Sequence, residues 1–493
     1  MFSLSPKNQL TEAEQTQGLR WVLRDGVAAQ TMITLTGGAF LVAYALQLGA
    51  SHAHIGLLAA VPTLANILQL VSIRLIERFR SRRKIIVSAL FVGRAGLFVI
   101  ALIPFLNSDY AIFWLIAATI LLQSCAAIAT GCWSSWMRDL IPTQKLGTFF
   151  SHRLRLSQLV GAILSLLIAF AIDYVKRTHP AQEIYAYALL FLLGGLVGYV
   201  GVFFLYKTPE PRPIVNRIDF GAMIRLPFQH RPFRNLIWYS GLWNFATNLA
   251  APFFTVYLLQ RLNYGISTVI ILTVLSQVAM VVSLTLWGKY ADRYSYKAIL
   301  SICAPLYLIG LVAWTFTTLP DPHAFTLPLL ILIHLLMGFA TGGTSLAASS
   351  IGLKVAPQEQ SAVYLAVISM SNALTAGIAP IVGGILADFF VHQELSLSLN
   401  WSDETSSVAI QAINFQQLDF FFIFASLLGV LALYRLGFIR EDGDVDEKIV
   451  LREIRWEISQ EMKNLSSIVG TRSIVKLPFS LFQNIRSRTQ RRA

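Results

Sequence analysis

The sequence predicts an all-α integral membrane protein, with twelve transmembrane helices in two pseudo-symmetric six-helix bundles. Three observations predict it: an apolar composition carried along the whole chain, twelve apolar stretches of bilayer-spanning length, and Lys and Arg gathered on one side of the resulting spans. Of 493 residues, 55% are hydrophobic and only 13% charged, against roughly 25% charged in a soluble domain. A mean hydropathy of +0.61 over the whole length excludes a soluble body carrying a single anchor. Residues 1 to 26 hold no apolar core and no small-residue cleavage site, so the first apolar segment is expected to stay in the mature chain.

A helix needs roughly 20 apolar residues to cross the hydrocarbon layer. In order, such stretches run over Val27 to Leu48, His54 to Leu75, Lys84 to Phe105, Tyr110 to Cys132, Leu154 to Val175 and Ile184 to Tyr206. A second six follow, over Arg234 to Leu259, Ile266 to Trp287, Tyr296 to Thr318, Phe325 to Ile351, Ala362 to Phe390 and Gln416 to Phe438. An even number puts both chain ends on one side. Of the 39 Lys and Arg, only Lys176, Arg177 and Arg261 fall on the opposite side, and Arg94 falls within a span. By the positive-inside rule the crowded side is cytoplasmic and holds both termini. The expectation is a multi-pass protein of the cell (plasma or inner) membrane, and the net charge of +13 then needs no nucleic acid to explain it.

The expected organisation is a cytoplasmic segment 1–26, a first bundle 27–206, a cytoplasmic linker 207–233, a second bundle 234–438 and a cytoplasmic tail 439–493. Pro209-Glu210-Pro211-Arg212-Pro213 stiffens the linker. The tail places Val445, Ile449, Ile454, Ile458, Met462 and Leu465 at roughly helical spacing before a basic end. It reads as a helix lying on the membrane surface or binding a regulator. The halves resemble one another at a displacement of 215 residues, which sets Gly26 on Gly241, Glu77-Arg78 on Asp292-Arg293, Pro142 on Pro357 and Asp173 on Asp388. With a slip of two, Phe40 to Gln47 resembles Phe253 to Gln260. Duplicated six-helix halves are a transporter architecture.

Between spans eight and nine, Gly288-Lys289-Tyr290-Ala291-Asp292-Arg293 with Lys297 resembles the loop signature of the major facilitator superfamily (MFS), with Ser295 where a second Gly is usual. Its counterpart after span two keeps Glu77-Arg78 and the basic run Arg82, Arg83, Lys84 but lacks the glycines. Trp136 to Pro142 is similar to the family's span-four exit, and Ala379-Pro380-Ile381-Val382-Gly383-Gly384 to its span-eleven packing segment. The resemblance implies a secondary transporter or permease, one that is not an enzyme, working by alternating access. It also implies that spans one, four, seven and ten line a central cavity. On physical grounds, a carboxylate beside a cation at a helix end can pair across to a neighbouring helix in one state and release in the other. Glu77 and Asp292 are the gating candidates, with Arg78, Arg138, Gly288, Arg293, Lys297 and Lys354 around them; fixing topology is the alternative role.

On the implied cavity spans, polar residues recur at helical spacing: Gln30 and Thr34, Gln123 and Thr130, Asn244 and Asn248, His334, Thr341 and Ser345. In a bilayer such groups seek a water-filled pathway or a neighbouring helix. Arg94 lies ten residues past Lys84, about 15 Å into the membrane at 1.5 Å per residue. It can meet an anionic solute, pair with Asn66 or Gln69, or snorkel. No carboxylate falls at mid-span in these ranges, which leaves His334 as the near-neutral titratable group for coupling to a proton gradient. No cofactor or metal is expected: His52 and His54 lack a carboxylate or Cys partner, and Cys125, Cys132 and Cys303 read as packing residues. No Gly-x-x-x-x-Gly-Lys-Ser/Thr loop supports drive by ATP. The expected partners are a small-molecule substrate and the lipid bilayer, with the chain a monomer. The mid-span amides favour a neutral polar solute such as a sugar or glucoside. An organic anion or drug exported through Arg94, and a transporter-like sensor or assembly factor, are the rivals.

Overall fold

The ends of the apolar stretches carry the residues that start and break helices. Thr11 caps the first helix with a reciprocal capping box: its hydroxyl accepts from Glu14 N at 3.3 Å while its own N–H donates to the Glu14 carboxylate at 3.2 Å. Ser51, Ser81 and Ser295 cap three others. A computed structural model describes residues 6, 7, 10–106, 109–142, 146–212, 227–318, 323–357, 361–402, 407–439, 441 and 452. The tail expected over 439–493 lies almost entirely outside the described residues.

The helices are α1 (Glu12–Gln47, broken at Gly37), α2 (His52–Phe79), α3 (Arg82–Phe105), α4 (Ala111–Leu140), α5 (Leu146–Thr178) and α6 (Pro180–Lys207), then α7 (Arg231–Val256), α8 (Ile266–Arg293), α9 (Tyr296–Thr318), α10 (Thr326–Val355), α11 (Ser361–Phe390) and α12 (Leu418–Leu436). Among the described residues, eleven of these are apolar and long enough to cross a bilayer. The other is α7, the one that carries Arg231, Arg234, Asn235, Asn244 and Asn248. Several helices outrun the apolar stretches that announced them. α1 begins at Glu12 rather than Val27, α4 continues to Leu140 rather than Cys132, and α5 starts at Leu146 rather than Leu154. Hydropathy marks only the hydrocarbon layer, whereas the backbone ladder runs on into the polar one.

Each packing relation in one half recurs in the other. α3 lies against α4 and α6 as α9 lies against α10 and α12; α1 lies against α5 and α6 as α7 lies against α11 and α12. Across the seam, α2 packs on α11 and α8 packs on α5. Lipid-facing side chains such as Phe91, Phe113, Leu167, Val282 and Leu427 stay exposed, as expected where the surrounding solvent is hydrocarbon. The helix ends joined by the linker and the basic loops form the basic face. Opposite it is the hairpin face, named for an antiparallel pair between α11 and α12: β1 (Glu394–Ser402) and β2 (Ser407–Gln416).

Candidate functional site

The first four N–H groups of a helix have no intrahelical acceptor, and the helix dipole favours negative charge beside them. Four carboxylates exploit this. On the hairpin face, Asp173 near the end of α5 accepts from Ile266 N and Ser267 N, both at 2.9 Å, and from the Ser267 hydroxyl, at the start of α8. Its repeat partner Asp388, near the end of α11, accepts from His52 N and Ala53 N at 2.9 Å and meets His52 Nδ1 at 2.9 Å, at the start of α2. Each carboxylate belongs to one bundle and each helix start to the other. Glycines allow the approach: a Cβ on Gly56 would overlap Pro380 O, and one on Gly265 would come within 2.9 Å of Asp173 Cγ. The seam is therefore closed on this face.

On the basic face, Glu210 accepts from the Ser81 hydroxyl at 2.9 Å, Arg82 N at 2.5 Å and Arg83 N at 3.2 Å, at the start of α3. Arg82, fully buried, also donates to Asp139 at 2.5 Å and to Pro211 O at 2.8 Å. In the second half, Glu441 accepts from Tyr296 N at 3.2 Å, Lys297 N at 2.8 Å and Lys354 Nζ at 2.9 Å, at the start of α9. These contacts stay within one bundle. The gating candidates sit differently. Glu77 and Arg78 are exposed at the end of α2, with Arg78 over the Phe79 ring. Arg138 lies 3.8 Å from Asp139, Gly288 has open space beside it, and Arg293 lies over Tyr294. The side chain of Asp292 lies outside the described residues.

Between the faces, the polar candidates are half-buried, apart from Thr130 and Ser345, which are exposed. Gln30 reaches Thr34 Oγ1 at 3.5 Å and lies against Gly161 of α5. On α7, Asn244 donates to Ser240 O and Asn248 to Asn244 O, each at 2.8 Å, which leaves their amide oxygens as acceptors. His334 contacts Leu330 O at 2.8 Å through Nδ1, and its ring lies 5.4 Å from that of Trp314. Thr341 donates to Met337 O at 2.7 Å. Gln123 is half-buried on α4. The structure joins Gln30 with Thr34 and Asn244 with Asn248.

Arg94 is neither beside Asn66 or Gln69 nor snorkelling. It is 3% exposed, donates through Nη1 to Gly198 O of α6, and shares the space above Gly201 with Asp25. A Cβ on Gly201 would come within 3.2 Å of both Arg94 Nη1 and Asp25 Oδ1. Arg153 of α5 places Nη2 3.9 Å from Asp25 Oδ2, lies over the Trp133 ring at 4.9 Å and is the partly exposed member of the group. Asp25 Oδ1, Arg94 Nε and Arg153 Nε are buried without a hydrogen-bond partner. Asp25 lies inside α1 because that helix starts so early; from the apolar stretch alone it falls outside the span. Its signal was its place beside Gly26, the first residue of the internal repeat. Among the described residues, no cluster of three His, Cys, Asp or Glu could hold a metal ion.

A family model described as Major Facilitator Superfamily matches residues 26–380 and 244–453. No curated protein sequence matches the chain. Solved structures share the fold at low identity. The nucleoside transporter NupG is 14% identical, with 86% of this chain and 98% of that chain covered at a TM-score of 0.58. A bacterial homolog of the human lysosomal transporter Spinster, inward-facing and unoccupied, is also 14% identical, covering 87% and 95% at 0.58. The inward-open xylose transporter XylE from E. coli is 15% identical, covering 87% and 95% at 0.55. With its family model spanning both halves and its repeated six-helix packing, the chain belongs to the Major Facilitator Superfamily of membrane transporters.

Proposed function

We propose that this chain moves a neutral polar solute such as a sugar or glucoside across the cell membrane by alternating access, with the basic face and both termini cytoplasmic. The observation that carries the solute class is the matched set of amides on α1 and α7, the first helices of the two halves. Gln30, Asn244 and Asn248 are half-buried there, and the oxygens of the two asparagines remain available to hydroxyl donors. Gln123, His334 and Thr341 extend that lining from α4 and α10. Two of the like-folded structures are named as transporters of xylose and of a nucleoside, solutes of that polarity. Closure of the hairpin face by Asp173 and Asp388 supports an inward-facing state. Release of both, with closure of the basic face, gives the alternate one.

Coupling to protons is proposed at Asp25, in place of His334. One buried carboxylate lies near two guanidiniums, Arg153 at 3.9 Å and reaching Trp133, and Arg94 across Gly201 and locked against α6. A proton on Asp25 cancels its charge and frees Arg153, the member on the seam helix α5, so protonation and helix position become linked. A second reading, an anionic solute, is favoured by the same group, because Arg153 rather than the enclosed Arg94 is the reachable cation.

Counterflow in proteoliposomes against sugars, nucleosides and organic anions tests these readings. Exchange of a neutral solute, unaffected by Arg153→Gln, supports the first. Anion exchange abolished by Arg153→Gln supports the second. Exchange of nothing across the panel defeats both and favours a sensor or assembly role. Asp25→Asn is expected to keep counterflow while losing at least tenfold in accumulation driven by a pH gradient; full accumulation in that variant removes Asp25 from coupling.

A further inference from the structure

The hairpin between α11 and α12 has a register with a purpose. It pairs Leu395 with Phe415, Leu397 with Ile413, Leu399 with Ile410 and Trp401 with Val408. Side chains alternate between faces along a strand, so Leu395 and Leu397 share one face of β1 and Ser396 takes the other. On β2 the apolar residues fall at 413 and 415 but then at 408 and 410, which strict alternation would put on opposite faces. A bulge between Leu397 and Ser398 leaves Ala412 as the extra residue and restores the match. In this register apolar residues are set opposite apolar ones, as Leu395 is opposite Phe415, while Glu394 stands opposite Gln416.

On the described part of this face Leu395 is 57% and Leu397 52% exposed, and Phe415 is half-buried. A lone two-stranded hairpin is marginal in water and needs a surface to lie on. Its apolar row runs directly into the lipid-facing surface of the helices. The Phe415 ring lies 6.4 Å from Phe420, and Phe420 stacks on Phe390 at 5.4 Å. Phe420 heads the stripe Phe424, Leu427 and Leu431 on α12, all three exposed, and Phe390 adjoins exposed Phe389 and Ile385 on α11. Segment 394–416 itself holds no Lys or Arg, and Arg261 at its base is engaged by Gln416 Oε1 at 2.7 Å, so the hairpin carries no cation of its own to attract acidic headgroups or an acidic protein. Trp401, near its tip, is a residue type enriched at the interface between membrane and water.

We propose that β1 and β2 lie flat on the bilayer leaflet of the hairpin face, apolar row inward, as an interfacial outrigger beside α11 and α12. Residues one apart on a strand then report opposite phases. The test uses the full chain in phosphatidylcholine nanodiscs, in a Cys125→Ala, Cys132→Ala, Cys303→Ala background. A bimane label is placed at Leu397→Cys or at Ser396→Cys and quenched by headgroup-nitroxide lipid or by aqueous iodide. The expected result is at least threefold stronger lipid quenching, and threefold weaker iodide quenching, at 397 than at 396, unchanged on adding anionic lipid. Equal iodide access at both positions overturns the proposal. So does shielding of 397 from both quenchers, which would mean a protein partner or a second copy covers the face. A Ser396→Cys, Asn414→Cys pair, opposite one another in the register, checks that the labelled hairpin is formed; failure to crosslink also overturns it.

Discussion

The two faces of the membrane use one local device to opposite mechanical ends. Asp173 and Asp388 on the hairpin face, and Glu210 and Glu441 on the basic face, each place a carboxylate on the unsatisfied N–H groups at a helix start. The aspartates reach into the other bundle, whereas the glutamates remain within their own. If the bundles move as units, the glutamate contacts exist in every state and cannot bias the equilibrium. The aspartate contacts exist only while the hairpin face is closed, so their whole free energy counts towards that state.

The comparison can be broken at its strongest point first. Asp173 is 6% exposed and serves three donors. Asp173→Ala leaves two backbone N–H groups without partners at roughly 1–3 kcal/mol each. It should raise labelling of a cysteine on the hairpin side of the seam by at least tenfold; unchanged labelling would mean the contact does not hold the face shut. Gly56→Leu comes next. Its side chain meets Pro380 backbone rather than a flexible group, and overpacking of about 1–3 kcal/mol should hold the hairpin face open and slow transport, read by the same labelling. Asp388→Ala should act in the same direction but more weakly, about 1 kcal/mol, because its side chain is 36% exposed. Glu210→Gln and Glu441→Gln sharpen the contrast. They should lower the melting temperature by a few degrees and leave the labelling ratio within about twofold of the parent.

Much of the fold was legible because a bilayer imposes its own thickness on the sequence, and twelve apolar stretches survive any error in their ends. The hairpin was not. β1 alternates openly, but the extra Ala412 breaks the period of β2, and a broken period reads as loop. Asp25 escaped for a related reason. The apolar window closes at Val27 while the helix continues back to Glu12, so a carboxylate buried between two arginines looked like a polar flank. Glu210 was visible only as part of a proline-rich linker, and Glu441 only as the start of the tail. The match of Asp173 with Asp388 is visible in the sequence as a mark of duplication; what each touches is not, since two of the groups that meet each one are peptide N–H groups. Glu77, chosen for its motif, is exposed, and the carboxylate beside the basic run is Glu210.

Positions 52, 53, 266 and 267 supply main-chain hydrogens to the aspartates, and any amino acid except proline has one to give. Selection on these fasteners therefore falls chiefly on the acidic letter at each site, with the Ser267 hydroxyl and the His52 ring as side-chain partners that could co-vary. A search for complementary charges between the halves would pass over Asp173 and meet Asp388 only through His52.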